Sequence, residues 1–254
     1  MTAESQTAVA DVEFTESSVR RKIVVALDLD TAKEALSLVD RLAGRVGMFK
    51  VGSQLFSSEG PAVVREIVKR GQRVFLDLKY HDIPNTVAHA AAAAGRLGVS
   101  IFNVHTSGGK AMMEATVAAA TESAQREGLT RPLILGVTVL TSMDSQSLQT
   151  IGVDEGAESH VLRLANLARE AGLDGVVASP LEIRSIRNNL PEGFVILTPG
   201  IRPAETKDDQ KRTSTPAEAI RAGANYLVIG RPITGAPDPV AALEQIVKDT
   251  STAH

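Results

Sequence analysis

From Ile23 onward the chain alternates eight short, β-branched apolar runs with longer Ala-rich amphipathic stretches, a rhythm that restricts the fold more than any other feature. The strand candidates are Ile23–Asp28, Met48–Val51, Arg73–Lys79, Ser100–His105, Leu133–Leu140, Gly175–Ala178, Phe194–Thr198 and Tyr226–Ile229. They are nearly continuous in apolar residues, as expected of strands covered on both faces in a parallel sheet. Helix candidates fall between them at Thr31–Ala43, Pro61–Arg70, Thr86–Leu97, Lys110–Glu127, Glu158–Ala171, Leu181–Asn189 and Pro216–Ala222, with a last one at Pro239–Asp249. Asp30-Thr31 offers an N-cap, Gly60-Pro61 sets proline at a helix start, and Gly71 supplies a stop. Eight strand–helix units in this length predict an α/β protein, a single (β/α)8 TIM barrel over residues 22–250. An open doubly wound sheet fits less well, because Asp28-Leu29-Asp30 stands where its glycine-rich fingerprint belongs. Residues 1–21 are polar and read as a mobile tail.

Composition excludes several classes. The chain carries 27 Lys+Arg against 30 Asp+Glu, a formal charge of −3, so no general field draws it to nucleic acid or an anionic membrane. It has no cysteine, which removes disulfides, thiolate metal sites and a cysteine nucleophile. Aromatic residues make up 3% and tryptophan is absent, which argues against base-stacking platforms. The apolar runs Ile23–Leu27 and Pro132–Leu140 fall short of the roughly 20 residues a bilayer requires. The N-terminal segment lacks the apolar centre of a signal peptide. A soluble, cytoplasmic protein with neither nucleic-acid nor membrane partner is expected.

A barrel enzyme places its chemistry at the C-terminal ends of its strands. Those ends carry Asp28, Lys50, Asp77 with Lys79, His105, Thr141 with Ser142, Pro199 with Gly200, and Gly230 with Arg231. The strongest local signal is Asp77-Leu78-Lys79-Tyr80-His81-Asp82. Alternate strand residues share a face, so Asp77 and Lys79 project together at the mouth. Lys50 and Asp82 extend this to a Lys–Asp–Lys–Asp array. Flanking carboxylates favour the charged form of Lys79, which suits it to electrostatic stabilisation and proton donation rather than to a Schiff base. An ordinary ion-pair network at a strand end is the plain alternative. Gly230-Arg231-Pro232-Ile233 follows the last strand and suits an anion. A long polar loop begins at Pro199-Gly200-Ile201-Arg202-Pro203 and has the length of a lid. Ser107-Gly108-Gly109-Lys110 is a helix entry rather than a P-loop, Thr141–Asp144 can cap a helix, and the histidines show no metal-ligand spacing.

Taken together, these segments resemble the bacterial orotidine 5′-phosphate decarboxylase family. The matching pieces are Val-Ala-Leu-Asp ending at Asp28, Lys-Val-Gly from Lys50, and Asp-Leu-Lys-Tyr-His-Asp-Ile-Pro-Asn-Thr from Asp77 to Thr86. Leu-Thr-Ser-Met at 140–143, Thr-Pro-Gly-Ile-Arg-Pro at 198–203, Asp209-Gln210 and Ile-Gly-Arg-Pro-Ile-Thr at 229–234 complete the set. The resemblance implies decarboxylation of orotidine 5′-monophosphate to uridine 5′-monophosphate and carbon dioxide without a metal or other cofactor. It implies that Lys79 delivers a proton to C6, that Asp77 sits beside the substrate carboxylate, and that Lys50 and Asp28 contact the ribose. Thr141, Ser142 and Pro199 would flank the pyrimidine, while Arg202, Gln210, Gly230 and Arg231 would grip the phosphate. Asp82, Ile83 and Thr86 would reach the neighbouring site of a homodimer. Gln54, Tyr80 and Thr106 depart from common family residues without touching a proposed catalytic charge. A magnesium-dependent phosphosugar decarboxylase or aldol-type synthase shares the Asp-x-Lys-x-x-Asp core. A non-catalytic nucleotide-binding barrel is a rival of another kind.

Overall fold

The computed structural model describes residues 14–203 and 214–253. Eight parallel strands close into a barrel in chain order: β1 (Ile23–Ala26), β2 (Met48–Gly52), β3 (Val74–Tyr80), β4 (Ile101–His105), β5 (Leu133–Val137), β6 (Gly175–Val177), β7 (Val195–Thr198) and β8 (Tyr226–Ile229). Closure is made by β1 against β8, with Val24 beside Val228. The expected single (β/α)8 barrel is therefore the fold.

Strand alternation divides the apolar residues into two layers. Val24, Ala26, Met48, Phe75, Ile101, Leu135, Val137, Val177, Leu197 and Val228 pack together inside the barrel. Their neighbours, such as Val25, Phe49, Leu76, Phe102 and Ile196, face out and pack with the helices into a larger cluster. This double burial is why the strands are continuously apolar in sequence. At the C-terminal end the inward positions change to Lys50, Asp77 and Asn103, so a polar layer at the mouth borders an apolar plug.

The helices follow their local signals. Thr31 caps Ala32–Leu42 by accepting the Glu34 N–H at 3.2 Å, Pro61 begins Pro61–Lys69, and Gly109 with φ 87° admits the chain to Lys110–Glu127. Asp144 caps Ser145–Thr150 through the Ser147 N–H at 2.8 Å.

Two expectations are corrected. Residues 16–21, read as part of a tail, belong to the helix Glu16–Lys22, capped by Thr15. Arg20 ties it to Glu244 of the C-terminal helix Pro239–Thr252, with one contact at 3.1 Å. Its apolar content is slight, but Val19 is fully buried in the core, which is what anchors it. Residues 1–13 lie outside the described part. The fifth strand ends at Val137 rather than Leu140; beyond it Val139 and Leu140 turn to line the mouth. No helix among the described residues is long and apolar enough to cross a membrane.

Candidate active site

The mouth of the barrel holds a cavity of about 340 Å³, at the low end of the size range of small-ligand sites. Its apolar floor includes Phe75, Val137, Val177, Leu197 and Val228. Asp28, Lys50, Asp77 and Lys79 form one wall, while Arg202, Gly230 and Arg231 arrive from the ends of β7 and β8. In an eight-stranded ring β7 lies opposite β3, so the Arg202 segment faces the Asp77–Lys79 strand across the mouth.

The charges on the first wall form a continuous chain. Lys50 Nζ donates to Asp28 Oδ1 at 2.9 Å and stands 3.5 Å from Asp77 Oδ2. Lys79 Nζ donates to Asp77 Oδ1 at 2.7 Å. Lys50 and Asp77 are buried, whereas Lys79 is partly open to the cavity and Asp28 stands at the rim. Burial of Asp77 is tolerable because both of its oxygens meet cations. Close approach is permitted by Gly52, where a Cβ would lie 2.8 Å from Lys50 Nζ.

Backbone geometry at Lys79 is unusual. Its φ of 52° makes it the one positive-φ residue other than glycine among the described residues. Such a conformation costs about 1–2 kcal/mol for an L-residue. It accompanies a break in the β3–β4 register: Leu76 pairs with Phe102, but Tyr80 already pairs with Val104. Asn103 is left facing this bulge. Its Oδ1 accepts the Lys79 N–H at 2.8 Å and its Nδ2 donates to Asp77 Oδ1 at 2.7 Å. Sequence reasoning missed Asn103, whose only signal was a polar residue in the middle of an apolar strand.

His105 ends β4, and its ring packs against that of His81 with centroids 5.4 Å apart. Burial, then His81 and Lys79, hold its pKa below the ordinary value of 6.5, against a weaker opposing pull from Asp77. Burial alone raises that of the Tyr80 phenol.

Other expected residues distribute as follows. Thr141 and Pro199 line the cavity together with Gly200, which was not singled out as a contact; Ser142 is exposed on the adjoining turn and does not line it. Arg202 is buried, and its Nη1 donates to the Ile201 carbonyl at 3.0 Å. Gln210 lies outside the described residues. Asp82, Ile83 and Thr86 sit in a run, 81–86, that is exposed throughout, with Ile83 66% accessible. Asp82 makes no ion pair with the described residues of its own chain, so the fourth charge of the intrachain array is Asp28 rather than Asp82. The Asp82 carboxylate instead accepts the Ile83 N–H at 2.6 Å.

Residues 21–246 match the family described as orotidine 5′-phosphate decarboxylase / HUMPS. The chain belongs to that family. It is 55% identical over 239 residues to the orotidine 5′-phosphate decarboxylase of Moorella thermoacetica, covering 93% of this chain and 95% of the other. Identity to the enzyme of that name from Trichlorobacter lovleyi is 52% over 238 residues, covering 93% and 98%. Among solved structures, the orotidine 5′-phosphate decarboxylase of Lactobacillus acidophilus superposes with a TM-score of 0.80 at 37% identity, over 92% of this chain and all of that one. An uncharacterized conserved protein from Geobacillus kaustophilus gives 0.78 at 35% identity, over 90% and 99%.

Proposed function

We propose that this chain decarboxylates orotidine 5′-monophosphate to uridine 5′-monophosphate and carbon dioxide, as a cytoplasmic, cofactor-free enzyme of de novo pyrimidine biosynthesis. The observation that carries this reading is the Asp28–Lys50–Asp77–Lys79 chain lining a cavity whose far rim bears Arg202, Gly230 and Arg231. Family membership and relatives of that name support it.

In the proposed reaction the C6–carboxylate bond breaks, carbon dioxide leaves and the bonding electron pair stays on C6. The Lys79 ammonium stabilises that charge and passes its proton to C6; solvent then reprotonates the amine, so one proton is consumed per turnover. A fixed ammonium above an apolar floor is far more effective than one in water, since little solvent screens it and no reorganisation is needed. Asp77 holds Lys79 in place and lies beside the substrate carboxylate. Lys50 and Asp28 take the ribose, while Thr141 and Pro199, which line the cavity, flank the pyrimidine. Arg202, Gln210, Gly230 and Arg231 grip the phosphate, whose remote binding energy favours the closed, organised site.

We further propose a homodimer in which Asp82, Ile83 and Thr86 reach the neighbouring cavity. Their continuous exposure beside the mouth supports this, since an isoleucine 66% accessible has apolar surface to bury. The partner's Asp82 would then complete a Lys–Asp–Lys–Asp array across the subunit boundary.

The deciding experiment is an ultraviolet assay on orotidine 5′-monophosphate with chelator present and Lys79→Ala run in parallel. Loss of the orotate chromophore with carbon dioxide release, abolished in the variant, is expected. Turnover of a pentulose or hexulose phosphate with magnesium, and none of the nucleotide, would overturn the reading.

A further inference from the structure

We infer that Asn103 is a positioning residue for this reaction, its carboxamide holding Asp77 and Lys79 in their working arrangement. The inference rests on the roles proposed above for those two residues. Asn103 is fully buried and points into the barrel from the middle of β4. Three β3 residues, 77–79, stand against Asn103 alone between the Leu76–Phe102 and Tyr80–Val104 pairs. Its amide answers that mismatch at both ends. Oδ1 takes the Lys79 N–H at 2.8 Å, and Nδ2 reaches Asp77 Oδ1 at 2.7 Å.

The same Asp77 oxygen accepts the Lys79 ammonium at 2.7 Å. Backbone N–H, amide, carboxylate and ammonium therefore close a ring that returns to the residue where it began. Amide orientation is set by this ring, because a flipped Asn103 would oppose donor to donor and acceptor to acceptor. With Oδ1 of Asp77 doubly occupied, its Oδ2 is left toward Lys50, at 3.5 Å. One neutral side chain thus orients the carboxylate and holds the strained turn that aims the ammonium. The charged and titratable groups around it are Asp77 and Lys79 on β3, Lys50 on β2 and His105 two residues along its own strand.

Two variants of the full chain test this. Asn103→Leu removes both hydrogen bonds at similar volume and should lower kcat by about a hundredfold or more, while affinity for uridine 5′-phosphate stays within about threefold. That split is expected because the amide bonds Lys79 and Asp77, on the wall faced across the mouth by the Arg202 segment proposed to hold the phosphate. Asn103→Asp keeps the acceptor for the Lys79 N–H, but its second oxygen can replace the lost donor only when protonated. Its kcat relative to the unaltered enzyme should therefore climb as pH is lowered from about 8 to about 5. A residue that merely fills the bulge would give a constant ratio.

The proposal is overturned if folded variants keep kcat within about threefold of normal, if that ratio is flat with pH, or if kcat and nucleotide affinity fall together. Should Asn103→Leu fail to fold, the pH ratio of Asn103→Asp decides alone. Failure of the decarboxylase reading itself looks different: the unaltered chain would then not consume orotidine 5′-monophosphate at all.

Discussion

At the scale of single residues the site is built by close approaches that each depend on one side chain. Lys79 carries both the ammonium proposed as proton donor and a left-handed backbone, so replacing it tests chemistry and strain together. Lys79→Ala should lose at least about a thousandfold in turnover. Circular dichroism and the thermal midpoint should show a retained fold, since Lys50 still faces Asp77; normal turnover in that variant would remove Lys79 from the mechanism. Gly52 has a backbone that alanine can adopt, with φ −96°, yet a Cβ there would lie 2.8 Å from the Lys50 ammonium. Gly52→Ala should displace that ammonium, cutting kcat/KM by about tenfold or more with little change in Tm. Unchanged kinetics would mean that Lys50 bends aside without consequence. His105 makes a prediction about stability. Unfolded, it binds a proton near 6.5; folded, only at lower pH. Between those values the unfolded state holds more protons, so stability falls as pH drops through that window and levels off below the folded value. His105→Gln should flatten this part of the urea-midpoint profile.

At the scale of elements, the β3–β4 irregularity and the footing of the Arg202 loop matter most. Position 77 and position 79 share a face by simple alternation, so their joint presence at the mouth follows from spacing. The register slip that gives Lys79 its positive φ involves no glycine or proline, and so left no local mark. Thr106, in the short turn that follows β4, is tied to β5: its hydroxyl donates to the Val137 carbonyl at 2.8 Å. Gly136 makes room for its methyl, since a Cβ there would fall 2.4 Å from Thr106 Cγ2. The Arg202 segment is fastened by Arg202 N–H to the Ser214 carbonyl at 3.0 Å, next to an isolated parallel bridge between Ile201 and Ser214. Next in the chain is a reciprocal cap in which Thr215 accepts the Glu218 N–H at 3.3 Å and Glu218 accepts the Thr215 N–H at 2.9 Å. Thr215→Ala should cost about 1 kcal/mol by urea titration. These bonds also hold the Glu218 carboxyl below its ordinary pKa, led by the Thr215 backbone. That share of stability is present above the unfolded carboxyl pKa and is lost as pH falls through the folded one. Glu218→Gln should therefore narrow the gap in stability between neutral and acid pH; an unchanged gap would deny the cap any pH-dependent share.

For the whole molecule, barrel closure brings β1 to β8 and so places Asp28 and Gly230 at one mouth, although the chain separates them by most of its length. The proposed dimer yields a quantitative expectation. If each site takes Lys79 from one subunit and Asp82 from the other, Lys79→Ala and Asp82→Asn homodimers should both be impaired. Mixed dimers would then contain one intact site of two. Random reassociation of equal amounts should restore roughly a quarter of the normal sites. No recovery after proven subunit exchange would confine each site to one chain. Ile83→Asp should shift the molecule toward monomer by sedimentation velocity, because it places a charge on surface the interface would dry.

Alternation of apolar runs with amphipathic stretches determined the barrel, the inward direction of Lys50, Asp77 and Lys79, and the strand ends at which polar groups collect. Those features are periodic, and a strand's pleat or a helix's pitch turns sequence spacing into facing. What each inward side chain meets was decided only by the tertiary structure. Asp28 rather than Asp82 became the fourth charge of the intrachain array, Thr141 lined the cavity while Ser142 stayed exposed outside it, and Asn103 came to face a bulge. Contacts across strands depend on register and closure, which relate residues far apart in the chain and follow no local period. The polar centre of this site was therefore written in the sequence as a set of residue types, and it became a bonded chain only when the barrel closed.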